Sequence, residues 1–187
     1  MRKKLALCLA LLMLPVSGCT ASDPAQQPLT FRTALLQAGD CCFTAQITAN
    51  YDETVCDFTL QAECDNDTGA AVCVRAPESI SGIRATVSQS AAYVDFEQTQ
   101  LALATLADGA LAPLAAPYVL HRCWLEGYID TTGTEQGLLR VSYRYGYEDE
   151  ELLVDTWFSG QPFTPVRAQI SYAGHTALNV TLSDFTM

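Results

Sequence analysis

The stretch from Cys41 to Cys64 constrains the fold more than any other part of the chain. In its first half Phe43, Ala45, Ile47, Ala49 and Tyr51 alternate with Thr44, Gln46, Thr48 and Asn50. In its second half Cys56, Phe58, Leu60, Ala62 and Cys64 alternate with Asp57, Thr59, Gln61 and Glu63. Side chains of a strand point to opposite faces in turn, so each half has one apolar and one wet face. Four residues, Asp52 to Val55, separate the two runs, and Asp52-Glu53 reads as the turn, which predicts an antiparallel hairpin. A register centred on that pair sets Cys41 opposite Cys64 and Ala49 opposite Cys56. An apolar face of this length needs a covering layer, and the rest of the chain must supply it.

The flanking segments repeat the pattern. Leu29–Ala38 is a helix candidate with Leu29, Phe31, Leu35 and Leu36 as its apolar face and Gly39 as its stop. After the Asp65–Gly69 turn, Ala71–Ala76 is a strand with Val72 and Val74 on one face, ended by Pro77. Gly82–Gln89 and Ala91–Glu97 pair across a serine-rich turn, and Leu101–Leu106 is apolar but weakly periodic. In Tyr118–Ile129 apolar residues surround most of a helical circumference, leaving a narrow polar stripe of Arg122 and Glu126, so this helix is expected to be buried. Two further hairpins follow. Leu139, Val141, Tyr143 and Tyr145 share a face, as do Leu152, Val154 and Phe158. Val166, Ala168 and Ile170, and then Leu178, Val180 and Leu182, continue it. The expected fold class is α+β: a strongly curved antiparallel sheet, an incomplete β-barrel, packed on an N-terminal and a central helix.

The first residues concern location. Arg2, Lys3 and Lys4 precede an apolar run from Leu5 to Leu14, which closes at Val16-Ser17-Gly18-Cys19. This layout predicts a secretory leader. The run is shorter than the roughly 20 apolar residues of a membrane span. With Cys19 in last place the leader resembles a bacterial lipoprotein signal. That resemblance implies lipidation of Cys19 (palmitate or a similar acyl chain), cleavage after Gly18, and a lipid-anchored protein on the extracytoplasmic face of the cell membrane. The expected organisation is a signal peptide at 1–18, a lipidated tether at 19–28 and one domain at 29–187, a common single-domain length.

Loss of the leader removes Arg2 and both lysines of the chain, leaving seven arginines against 21 acids and a net charge of about −14. Such a surface argues against nucleic acid as a partner. Export permits disulfides among Cys41, Cys42, Cys56, Cys64, Cys73 and Cys123, but six cysteines allow 15 pairings. No spacing fits a zinc or haem site, and no cofactor is expected. GxSxG, HExxH, GxxxxGK[ST] and GxGxxG do not occur in the sequence, so the chain is not expected to be an enzyme. The acidic segments 65–69 and 148–151 read as turns.

The helix ahead of FTAQITANYDETVCDFTL, the connector APESISGI, the central helix and the closing pair PFTPVRAQISYAGHTALNVTLSDF are together similar to the lipoprotein-carrier family, LolA/LolB-like. That resemblance implies an incomplete barrel closed by helices, with an apolar concavity for acyl chains or another hydrophobic ligand. The inward residues expected to line it are Phe43, Ile47, Phe58, Leu60, Val141, Tyr143, Tyr145, Val154, Phe158 and Ile170. The alternative expectation is a protein–protein interaction or sensing module of the envelope, in which the same fold has a filled core.

Overall fold

A computed structural model describes residues 24–51, 54–96, 99–103, 112–146 and 151–187. The leader with Cys19, the Asp52-Glu53 turn, residues 104–106 and most of the acidic 148–151 segment lie outside them. Helix α1 (Gln27–Ala38) opens the described chain. Six strands then run outward from the middle of one sheet: β1 (Asp40–Tyr51), β2 (Thr54–Asp65), β3 (Gly69–Ala76), β4 (Arg84–Val87), β5 (Ala92–Phe96) and β6 (Thr99–Leu103). Helix α2 (Ala116–Glu126) follows. Then β7 (Tyr128–Glu135), β8 (Leu138–Tyr145), β9 (Leu152–Phe158), β10 (Pro165–Tyr172) and β11 (His175–Thr186) lead from the opposite edge back to the middle.

All neighbours are antiparallel, and the sheet closes in its centre where β1 pairs with both β2 and β11. Edge strands β6 and β7 are not paired with each other, so the barrel is incomplete. The central hairpin has the register expected from its turn, with Cys41 opposite Cys64 and Ala49 opposite Cys56. An unbroken alternation around a two-residue loop leaves little freedom, because a slip of one residue would turn the apolar face outward.

Three elements differ from the sequence pattern. Helix α2 ends at Glu126, and Tyr128 and Ile129, expected in the helix, belong to β7. Strand β7 has no apolar alternation, because its Tyr128, Asp130 and Thr131 side chains are exposed at an edge and nothing needs to be buried there. Helix α1 starts at Gln27, two residues before the expected Leu29, with Pro28 in its first turn, where a missing N–H costs nothing. Its buried face is Pro28, Phe31 and Leu35, whereas Leu29 and Leu36 are 44% and 55% exposed. The i, i+3, i+7 spacing of the buried set outweighs the local leucine count.

Helix α1 ends on Gly39, whose φ of 86° is left-handed and whose N–H donates to Leu35 O (3.2 Å). Open space surrounds a Cβ built at this position, so Gly39→Ala tests conformation alone. It is expected to cost about 1 kcal/mol, read as a lower midpoint in urea with an unchanged slope.

On the face of β9 that points away from the helices, Trp157 is 3% exposed. Arg140 and Arg167 cover its ring, with guanidinium carbons 5.6 and 4.0 Å from the centroid. Its Nε1 donates to Glu135 (3.1 Å), while Asp155 accepts from Arg140 (2.8 Å) and from Ser142. This cluster covers the outer face of the sheet at Trp157.

Candidate functional site

The inner face of the sheet meets the two helices. Nine of the eleven residues of α2 are buried, and only Arg122 and Glu126, joined at 2.5 Å, form its polar stripe. Eight of the ten inward residues expected from the sequence are no more than 2% exposed: Phe43, Ile47, Leu60, Val141, Tyr143, Val154, Phe158 and Ile170. Phe58 and Tyr145 are half-buried and pack against the same core. The structure brings these residues together on one face, and the helices occupy the space in front of it. Burial raises the Tyr143 hydroxyl well above its ordinary value and, with Tyr118 and Glu126 beside it, pushes Tyr145 up to about 12.

Trp124 sits at the centre of this filling. Its ring contacts Phe31, Phe43 and Phe185 at centroid distances of 6.0, 5.7 and 5.9 Å, and its Nε1 donates to Thr156 Oγ1 (3.1 Å). Helix α1 is latched to the end of α2 by Arg32. The guanidinium Nε donates to Trp124 O (2.8 Å) and Nη2 to Gly127 O (2.6 Å), with a weaker contact to Cys123 O (3.5 Å). A cation there satisfies the free carbonyls of a helix C-terminus.

The middle of α2 is tied to the β2–β3 turn through His121 and Asn66. Asn66 Nδ2 donates to Leu35 O (3.1 Å), so its Oδ1 accepts from His121 Nε2 (3.0 Å). Arg122 Nη1 donates to Asn66 O (3.1 Å). His121 Nδ1 is then an unprotonated nitrogen, buried and without a hydrogen-bond partner. Burial first, and then Arg122, lowers this imidazole to about 4. Its one polar contact is a structural amide, and Cys42 is exposed while His121 is buried, so the two make no nucleophile–base pair. In the 65–69 turn, Asp65 Oδ1 accepts from Asp67 N (3.0 Å), Thr68 N (2.7 Å) and Thr68 Oγ1 (2.8 Å), which lowers its carboxyl. Among the described residues no group of three or more His, Cys, Asp or Glu side chains is placed to hold a metal ion. No described helix is long and apolar enough to cross a membrane.

The core meets a surface cleft along one flank of α1. A cleft of about 330 Å³ is lined by Gln26, Gln27, Thr30, Phe31, Ala34, Gly160, Phe163 and Met187. Phe163 lies parallel to Phe158 (3° between planes, centroids 4.7 Å apart), and Phe31 packs on Phe158 at 5.0 Å and on Phe163 at 6.1 Å. Three aromatic rings thus connect the cleft to the inner face. A larger cleft of about 520 Å³ between Asn50, Tyr51, Tyr172, His175 and Thr176 has mainly polar walls. The sequence did not mark the apolar cleft, because its walls come from three segments far apart in the chain. Only Phe31, in the expected apolar face of α1, carried a signal.

No protein-family model matches this chain, and no curated protein does. Among solved structures, a LolA superfamily protein from Nitrosomonas europaea is similar over 89% of this chain and 94% of its own, with 9% identity and a TM-score of 0.51. The lipoprotein LppX of Mycobacterium tuberculosis is aligned over 88% of this chain and 96% of its own, with 13% identity and a TM-score of 0.42. The first likeness is one of fold: the chain has a LolA-like incomplete barrel.

Proposed function

We propose that this chain is a lipid-anchored, non-catalytic domain of the extracytoplasmic membrane face that binds a lipid or another hydrophobic ligand, admitted at the apolar cleft beside α1. The observation that carries this reading is the position of that cleft. Gln26 and Gln27 form part of its wall, and Cys19 precedes Gln26 by seven positions in the sequence. Residues 20–26 as a tether would have a reach of about 15 Å, so an acylated Cys19 would hold the cleft close to the bilayer. Phe163, Phe31 and Phe158 then offer an apolar path inward, and movement of α1 would expose the inner residues Phe43, Tyr143, Val154 and Ile170 to a ligand.

The test is titration of the domain, without its leader, with the hydrophobic fluorophore anilinonaphthalene sulfonate. Saturable binding at one site is expected. Phe163→Glu should weaken it about tenfold or more while the thermal midpoint moves by a few degrees at most, because Phe163 is only half-buried. Binding that is unsaturable, or unchanged in Phe163→Glu, would remove this cleft from the account.

The filled inner face favours a second reading, an envelope interaction module. Leu29 and Leu36, seven residues apart on the outer side of α1, would then meet a protein partner. Retention of a partner by the wild type, and its loss in Leu29→Ser/Leu36→Ser, would select that reading.

A further inference from the structure

We propose that Cys41 and Cys64 form a reversible dithiol–disulfide couple at the open end of the central hairpin. Both are buried on the inner face, and they stand directly opposite each other on β1 and β2. Cys64 Sγ contacts Pro117 O (3.9 Å) in the first turn of α2. Cys42 is different: it is exposed, faces the other way and stands opposite Glu63. A cleft of about 350 Å³ at this end of the hairpin has Cys41, Cys42 and Cys64 among its walls.

The register decides the character of the bond. Asn66 N donates to Gly39 O (2.9 Å), and these two residues face each other two positions beyond the cysteine pair. Hydrogen-bonded and non-hydrogen-bonded pairs alternate, so Cys41 and Cys64 are a hydrogen-bonded pair with Cα atoms about 5.5 Å apart. That separation lies within the range a disulfide spans. The Cβ atoms of such a pair, however, are about 5 Å apart, wider than a relaxed disulfide holds them. Closure therefore draws the strands together, which disfavours the bond at equilibrium and leaves it reducible. The neighbouring Cys41 and then burial raise the Cys64 thiol well above its ordinary value, and both side chains are buried, so exchange is slow and proceeds through opening of the hairpin end.

With glutathione disulfide as oxidant, one cysteine thiolate attacks a glutathione sulfur and expels a glutathione thiolate. The second cysteine thiolate attacks the mixed disulfide at the protein sulfur and expels the other. Two protein thiols lose two protons and two electrons, and one glutathione disulfide becomes two thiols. No ligand is involved, so the result is independent of the binding proposal.

The full domain is incubated with glutathione disulfide at about pH 8, alkylated, and digested by a protease that cleaves before Asp. That places Cys41 and Cys42 in peptide 40–51, Cys56 in 52–56 and Cys64 in 57–64. Peptides 40–51 and 57–64 are expected to be linked in the wild type and in Cys42→Ala, with two fewer alkylated thiols. The link should be lost in Cys41→Ala and reversed by about 10 mM reduced glutathione without denaturant. Should Cys41→Ala not fold, Cys42→Ala decides alone, because Cys41 is then the one cysteine of peptide 40–51 that can form the link. Free thiols at 41 and 64 after oxidation, a link through Cys42, or a link that opens only in the unfolded chain would each overturn the proposal.

Discussion

Trp124→Ala is expected to lower the unfolding free energy by about 4 kcal/mol and the thermal midpoint by about 10 °C. Trp124 is fully buried, and its ring is the common neighbour of Phe31 on α1, Phe43 on β1 and Phe185 on β11. Its removal leaves a cavity where α1, α2 and the sheet meet, and Thr156 loses the indole N–H. Trp124→Phe keeps most of the ring volume and should cost less than half as much. Equal losses for the two substitutions would mean that the hydrogen bond to Thr156, and not the packing, holds α2 in place. Unfolding in urea followed by circular dichroism measures both.

Stability is also expected to fall by about 3 kcal/mol between pH 6.5 and pH 4 because of His121 alone. The sign follows from the two states. In the folded chain the imidazole is held at about 4, while in the unfolded chain it has its ordinary value near 6.5. As pH falls through 6.5 the unfolded chain takes up a proton that the folded chain refuses, so the loss begins there. It is complete below 4, where both states are protonated. The physical reason is that a proton on Nδ1 would find no acceptor and would stand beside Arg122, with Asp65 as the opposing charge. His121→Gln retains a donor for Asn66 and does not titrate, so it should flatten the pH dependence between 4 and 6.5. An unchanged slope in that variant would assign the acid sensitivity to other groups.

The central hairpin and the buried helix were legible because each is encoded locally. An uninterrupted period of two around Asp52-Glu53 determines the strand pairing, and an apolar circumference broken only by Arg122 and Glu126 determines burial. Strand β7 was not legible, because an edge strand with exposed Tyr128, Asp130 and Thr131 carries no periodic signal. The burial of Trp157 and Asp155 on the outer face was hidden for another reason. Its cover is Arg140 and Arg167, which become neighbours only when β8, β9 and β10 pair.

The inner face was legible as a set of residues but not as a space. Alternation shows that Phe43, Val141 and Ile170 point to one side, yet it does not show that Trp124 and Phe31 fill that side. The helix face of α1 was misread for a related reason: Leu29 and Leu36 are as apolar as Leu35, and only docking decides which of them is covered. The apolar cleft depends on that docking, since Phe31, Phe163 and Met187 converge only in the folded chain.

Native mass spectrometry of the protein, expressed from its full sequence and purified in mild detergent, tests the central claim most directly. A noncovalent hydrophobic adduct, retained by the wild type and absent from Phe163→Glu, is the result expected of a domain that takes an apolar ligand at the α1 cleft. A wild-type protein that carries no adduct, and gains none when incubated with phospholipid, would contradict it.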